Sequence, residues 1–340
     1  MASTVLGIDM GTQNIKISSK SGATIICEKN AIALNGASMY AFGDDAYDMY
    51  EKTPDNITVS FPVRDGVIAD YRNMRDELVS FINKYFPQGI KDSTVIVAIP
   101  TDISEVEKRS YFELVESCRF KLSSVRVCEM PIASAIGLGL PVNDPTGMML
   151  IDLGADTTEV SVISLGGLVL SRLIKTGGNK MAECIVNSVK EEKGLVIGEK
   201  TAQALLREVG FATDPDDSVM KTVGRNVMTG YPVTIEISAK EVYESIKDQF
   251  EMITEAIVYI LERTPPELSS DIIENGIYLT GGVSMIKNID KLITNETELP
   301  VNISDSPIEN AAKGLEKIAK DKSLSQLSYT IDSPKNRFFR

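Results

Sequence analysis

Apolar positions along the chain fall into two recurring signatures: a β-branched run that ends on an acidic residue and a glycine, and a one-sided stripe at helical spacing. The first signature opens the sequence. Val5 to Ile17 carries the apolar run VLGID, the turn residues MGTQN and then alternation at Ile15 and Ile17, which predicts a strand-turn-strand hairpin. Met148 to Val162 (MMLIDLGADTTEVSV) repeats that order and predicts a second hairpin of the same design. Ser93 to Ile99 (STVIVAI) is unbroken and β-branched, a buried strand, and the helix after it opens with a capping box at Ser104 and Glu107. Asp70 to Phe86 places Met74, Leu78, Phe81, Ile82 and Tyr85 on one helical face. Ser238 to Arg263 does the same with Val242, Ile246, Phe250, Ile253, Ile257 and Leu261 behind the capping box Ser238 and Glu241, and it stops at Thr264-Pro265-Pro266. Gly276 to Gly282 (GIYLTGG) reads as a strand running into paired glycines.

Strands alternating with helices predict an α/β architecture in which helices cover sheets. GIDMGT near residue 7 and LIDLGADT near residue 150 form an internal repeat that implies two similar halves. A length of 340 residues agrees with about two domains.

Composition removes whole classes of chemistry. The chain has no His and no Trp, so histidine triads, His metal sites and imidazole acid/base catalysis are excluded. Its 35 basic and 48 acidic residues leave a net charge of −13, and no Lys/Arg run exists to form a nucleic-acid face. The start MASTVLGIDM has no basic n-region and no apolar core, and the longest uncharged stretch, Met130 to Asn143, is too short to span a bilayer, which predicts a cytoplasmic protein. Cys27, Cys118, Cys128 and Cys184 lack CxxC spacing and read as buried reduced thiols.

The remaining chemistry belongs to carboxylates, hydroxyls, backbone amides and a bound ion. A hairpin tip of Gly, Thr and Asn can turn successive N–H groups inward and hold phosphate oxygens without basic side chains. Asp9 and Asp152, at the two strand ends, suit the waters of a Mg²⁺ that neutralises those phosphates. A single such turn is an ordinary polar turn. Two in register, with a third glycine turn at Thr280-Gly281-Gly282, point to a clamped polyphosphate.

The ordered segments GIDMGTQN, VAIPTDISEVEKRS, MPIASAIGLGLPV, MLIDLGADTTEVSVISLGG, IGEKTA, TIEIS, RTPPEL and IYLTGG, from about residue 5 to residue 315, resemble the MreB family of bacterial actins, within the actin, Hsp70 and hexokinase superfamily. The resemblance implies an actin-like fold of two lobes, each with a larger RNase H-like α/β subdomain and a smaller one, and ATP or ADP with Mg²⁺ in the cleft between the lobes. It places residues 1–31, 63–143 and 306–340 in the large subdomain of lobe I, 32–62 in its small one, 144–180 and 243–305 in the large subdomain of lobe II, and 181–242 in its small one. Gly11, Thr12 and Asn14 match the first phosphate loop, and Asp152, Gly154, Ala155, Asp156, Thr157 and Thr158 the second. Gly178 and Asn179 fall beside the nucleotide, Glu199 matches the acid that hydrogen-bonds the ribose, and Gly281 and Gly282 match the loop against which adenine packs. Glu199 also suits the first turn of a helix with no ligand at all.

Departures from the family pattern carry as much weight. The family has a water-orienting Glu immediately before the proline of the segment that here reads MPIASAIG, and this chain has Met130. Thr157 and Thr158 are left to hold part of the water network. The second phosphate loop, three glycines in the family, is Gly154, Ala155 and Asp156 here, which puts a carboxylate near the phosphates unless Asp156 faces away. The family's Gly-Asp-x-Met-Asp becomes Gly178, Asn179, Lys180, Met181 and Ala182. Lys16 either offers the phosphates a cation or faces solvent as an ordinary strand lysine.

The resemblance implies a homopolymer of paired protofilaments with slow ATP hydrolysis, with paralogous actin homologues as further partners and no nucleic acid. The alternative is a small-molecule kinase or an Hsp70-like module on the same fold. For contact with the inner membrane leaflet the candidates are Tyr85 and Phe86, at the position of the family's apolar loop, and Phe338 and Phe339 between arginines in the tail. The same residues also read as the end of a core stripe and as a frayed terminus.

Overall fold

The structure, a computed structural model, describes residues 5–19 and 24–331. Contacts divide the chain into two units, one of Met1–Asp144, Leu165–Gly167 and Glu309–Arg340, the other of Pro145–Ser164 and Leu168–Ile308.

In the first unit the strand Val5–Met10 is almost wholly buried and forms the middle of a five-stranded sheet. Antiparallel to it runs Asn14–Ser19, which pairs in turn with Ile26–Lys29. On its other side lie the parallel strands Thr94–Ile99 and Ser124–Glu129. The second unit repeats this plan. Met148–Leu153 is antiparallel to Thr158–Ser164 and parallel to Ile277–Thr280, beyond which Val301–Ile303 is parallel again, and Gly167–Ile174 completes the five strands. Strands buried on both faces need continuous apolar runs, and these runs are the ones the sequence supplies.

Each unit also carries a three-stranded antiparallel sheet. In the first it is built from Ser38–Phe42, Ile32–Asn35 and Ile57–Ser60, and in the second from Leu195–Val196, Val219–Asn226 and Pro232–Ser238.

Side chains cap the starts of three of the described α-helices. Asp70 accepts the Asn73 N–H at 3.0 Å and starts Tyr71–Tyr85, while Ser104 and Ser238 close reciprocal capping boxes with Glu107 and Glu241. Met74, Leu78, Phe81 and Ile82 of Tyr71–Tyr85 enter the core, as their spacing predicts, but so does Glu77 on the same face. Helices Met130–Leu138 and Asn310–Lys320 touch backbone to backbone. A Cβ on Gly314 would collide with the Ala133 carbonyl and one on Gly137 with that of Asn310.

One expectation is corrected here. Of the four free thiols only Cys128 is buried; Cys118 and Cys184 are half-buried, and Cys27 is exposed because it sits on the edge strand Ile26–Lys29. Tyr85 and Phe86 end the helix stripe, the second of the two readings given for them. The Tyr85 hydroxyl donates to Glu28, Lys84 lies over its ring, and both rings pack against the core, because the helix stripe runs to its last turn. Phe338 and Phe339 lie outside the described residues. Among the described residues no helix is long and apolar enough to cross a membrane.

Candidate functional site

In the first unit Val5–Met10, Thr94–Ile99 and Ser124–Glu129 run parallel with Asp9 level with Ala98 and Ala98 level with Cys128. The turn after Met10 and the helix that begins at Met130 therefore leave the same sheet edge, the carboxyl ends of the strands, where open α/β sheets place their ligands. Asp9 stands directly opposite Lys16 across the hairpin, and the Lys16 ammonium donates to Asp9 Oδ2 at 2.7 Å with both side chains buried. Lys16 is thus a buried partner of Asp9 and not a solvent-facing strand lysine. Asp9 Oδ1 is buried with no hydrogen-bond partner. The turn itself is held by Asn30, whose side-chain amide donates to the Gly11 carbonyl at 2.7 Å and whose N–H donates to that of Gln13 at 3.1 Å. Gly11, Thr12 and Asn14 remain partly exposed.

The second unit builds a turn of the same kind. The Gly154 N–H donates to the Thr157 carbonyl at 2.9 Å and closes it. Helix Gly178–Lys193 starts against the turn, with the Gly178 and Asn179 N–H groups donating to the Gly154 and Ala155 carbonyls at 3.2 and 2.7 Å. The Asp156 carboxylate accepts from the Asn179 side-chain amide at 2.8 Å. Asp152 is level with Thr280, so Gly281 lies beside it with φ +86, and a Cβ there would collide with Asp152 Oδ1 and the Leu153 carbonyl. Gly282, by contrast, faces open space. Thr158 is fully buried and its hydroxyl donates to the Thr176 carbonyl at 2.8 Å, so its side chain latches the strand. Thr157, inside the turn, is half-buried.

Comparison with known proteins places these turns in a family. The family model described as MreB/Mbl protein matches residues 3–326. The chain belongs to the MreB/Mbl family. It is 36% identical to the cell shape-determining protein MreB of Escherichia coli strain K12 over 92% of each chain, and 36% identical to the cell shape-determining protein Mbl of Bacillus subtilis strain 168 over 91% of this chain and 93% of that one. The crystal structure of MreB5 of Spiroplasma citri bound to AMPPNP is 30% identical and superposes with a TM-score of 0.90 over 96% of this chain and 98% of its own; the ADP-bound form gives 0.89. The fold is therefore the actin-like one that the resemblance implies.

Within this MreB/Mbl chain, Met130 is the first residue of helix Met130–Leu138 and is half-buried. Glu129 closes the preceding strand in extended geometry and serves as the residue before the helix, so its direction is set by the strand. Its carboxylate accepts from the Tyr329 hydroxyl at 2.8 Å. Burial, and then the Glu129 charge, push that hydroxyl's pKa well above its ordinary value. Glu129 is thus held by Tyr329.

Glu199 is the first residue of helix Glu199–Val209, and Glu199 Oε1 lies 3.3 Å from the Gln203 side-chain amide nitrogen, which is also 3.2 Å from Asn179 Oδ1. Asn30 and Gln203 are the site residues that sequence reading misses. An asparagine between two short strands and a glutamine inside a helix carry no local signal of what they hold.

The donor set fits the nucleotide and metal that the family implies. An unpartnered buried oxygen on Asp9 suits a metal-bound water, and two accessible turns offer amides to phosphate oxygens.

Proposed function

We propose that this chain is a nucleotide-dependent polymerising bacterial actin of the cytoplasmic face, which binds ATP or ADP with Mg²⁺ and hydrolyses ATP slowly. The Gly11–Asn14 and Gly154–Thr157 turns take the phosphates, Asp9 and Asp152 hold waters of the metal, Glu199 takes the ribose hydroxyls and the open backbone at Gly282 lies against the base. The observation that carries this reading is the duplicated hairpin, an aspartate closing a central strand before an amide-lined turn, in a chain of the MreB/Mbl family. Relatives named for determining cell shape, and an MreB5 that holds AMPPNP and ADP in its crystal structures, support it. Filaments follow from head-to-tail contacts that do not close on themselves, paired into double protofilaments.

Met130 supports slow turnover. Phosphoryl transfer depends almost entirely on positioning and electrostatics, and a thioether is too weak an acceptor to orient and polarise the attacking water. The metal, when bound, neutralises charge on the phosphates; aligning the water falls to residues such as Thr157.

Phosphate release measured beside pelleted polymer at one protein concentration tests both halves. Wild-type protein with ATP should pellet while releasing phosphate slowly. Met130→Glu should raise release about tenfold or more, roughly 1.4 kcal/mol of transition-state stabilisation, with polymer mass changing less. Persistent monomers with every nucleotide overturn the polymer reading, and an unaltered rate in Met130→Glu overturns the hydrolysis reading.

A further inference from the structure

A continuous run of polar side chains crosses three elements of the second unit. Asp156, in the phosphate turn, accepts from Asn179 Nδ2 at 2.8 Å; Asn179 Oδ1 accepts from Gln203 Nε2 at 3.2 Å; and the same Gln203 nitrogen reaches Glu199 Oε1 at 3.3 Å. Asn179 stands on the second residue of helix Gly178–Lys193, and Glu199 and Gln203 face the same side of helix Glu199–Val209, four residues apart. A primary amide has two N–H donors, so Gln203 can serve both acceptors at once, and doing so fixes its own orientation. Neither an alkyl chain nor a carboxylate could make both contacts.

We propose that Gln203 is a positioning residue that sets the Glu199 carboxylate for the ribose hydroxyls and, through Asn179, ties it to the second phosphate turn. It rests on the reading of Glu199 and the turn as nucleotide contacts. Ordering the Glu199 carboxylate in advance removes a cost that nucleotide binding would have to meet.

The test compares ATP with 2′,3′-dideoxyATP, which lacks both ribose hydroxyls, as Mg²⁺ complexes in equilibrium binding to the full chain. Wild-type protein should prefer ATP. Gln203→Met should reduce that preference roughly fivefold, about 1 kcal/mol, while affinity for the dideoxynucleotide and the melting temperature stay near wild type. Glu199→Ala should erase the preference, and adding Gln203→Met to it should change the ratio no further. If Glu199→Ala lowers the ratio and Gln203→Met does not, the positioning role is wrong and the ribose assignment survives. If Glu199→Ala leaves the ratio intact, the ribose assignment fails and the proposal fails with it. An equal loss of both nucleotides in Gln203→Met marks a general disturbance of the site and also overturns the proposal.

Discussion

The two hairpins share a plan and differ in charge. In the first, the residue opposite the strand-end aspartate is Lys16, which closes a buried ion pair with Asp9. In the second, the residue opposite Asp152 is Glu159, itself buried, and the turn adds Asp156. One hairpin carries its own countercharge. The other sets Asp152 and Glu159 opposite each other on one sheet face, and Asp156 in its turn accepts from the Asn179 amide.

The largest expected effect breaks the first balance. Lys16→Met leaves the Asp9 carboxylate buried without its cation, and removing one member of a buried pair costs about 3–5 kcal/mol. Urea unfolding should show that loss, and Asp9→Asn combined with Lys16→Met should recover most of it, because the uncompensated charge is then gone. A single variant as stable as wild type would mean that Asp9 is balanced by something other than Lys16.

What could be read from sequence follows from how far apart the partners lie. Both hairpins, the Asp70 cap and both capping boxes involve residues within a few positions of each other, where periodicity and turn chemistry act. Family resemblance then located the turns. It could not show that Lys16 pairs with Asp9, since that depends on cross-strand register. Asn30 reaches Gly11 across 19 positions, Thr158 reaches Thr176 across 18 and Gln203 reaches Asn179 across 24. Those contacts exist only after the strands and helices have packed, so no local pattern announces them. Glu77 escaped for a related reason: an acid within an apolar stripe reads as its polar border, yet the packing buries it completely.

Glu77 extends the contrast from the hairpins to the helices that support them. Burial pushes its carboxyl up to about 8, with the nearby Glu28 charge adding to the rise and the Ala31 and Gly43 backbone offsetting part of it. In the second unit the long helix Ala239–Leu261 buries the uncharged Gln249 among its apolar residues instead. Because the folded-state value lies above the unfolded one, the native chain holds the extra proton between about 4.5 and 8, and stability falls as pH rises through that window. Between pH 6 and pH 9 the loss should be roughly 2–3 kcal/mol. Glu77→Gln should flatten that part of the profile. Gln249→Met should leave the slope unchanged. Parallel wild-type and Glu77→Gln stability curves across this range would show that Glu77 does not hold the proton.

The smallest effects separate the ways the two turns are held. Asn30 makes both of its recorded bonds to the first turn, one from its side chain to Gly11 and one from its backbone to Gln13. The second turn is held by its own Gly154 to Thr157 bond and by the two amides of helix Gly178–Lys193, while the Thr158 latch is fastened one step away, to Thr176. Asn30→Ala should therefore cost about 1–1.5 kcal/mol, since it leaves the part-buried Gly11 bond unmade, and it should also weaken nucleotide affinity because the turn loses its side-chain anchor. Thr158→Val keeps the shape and removes one hydrogen bond, for a loss of about 1 kcal/mol. Nucleotide affinity should then hardly move, because three backbone bonds still fix the turn. Melting temperatures and equilibrium nucleotide binding on the two variants separate these outcomes. If Thr158→Val weakens binding as much as Asn30→Ala does, the second turn depends on its buried threonine more than on its backbone bonds, and the two hairpins hold phosphate by the same single-anchor design.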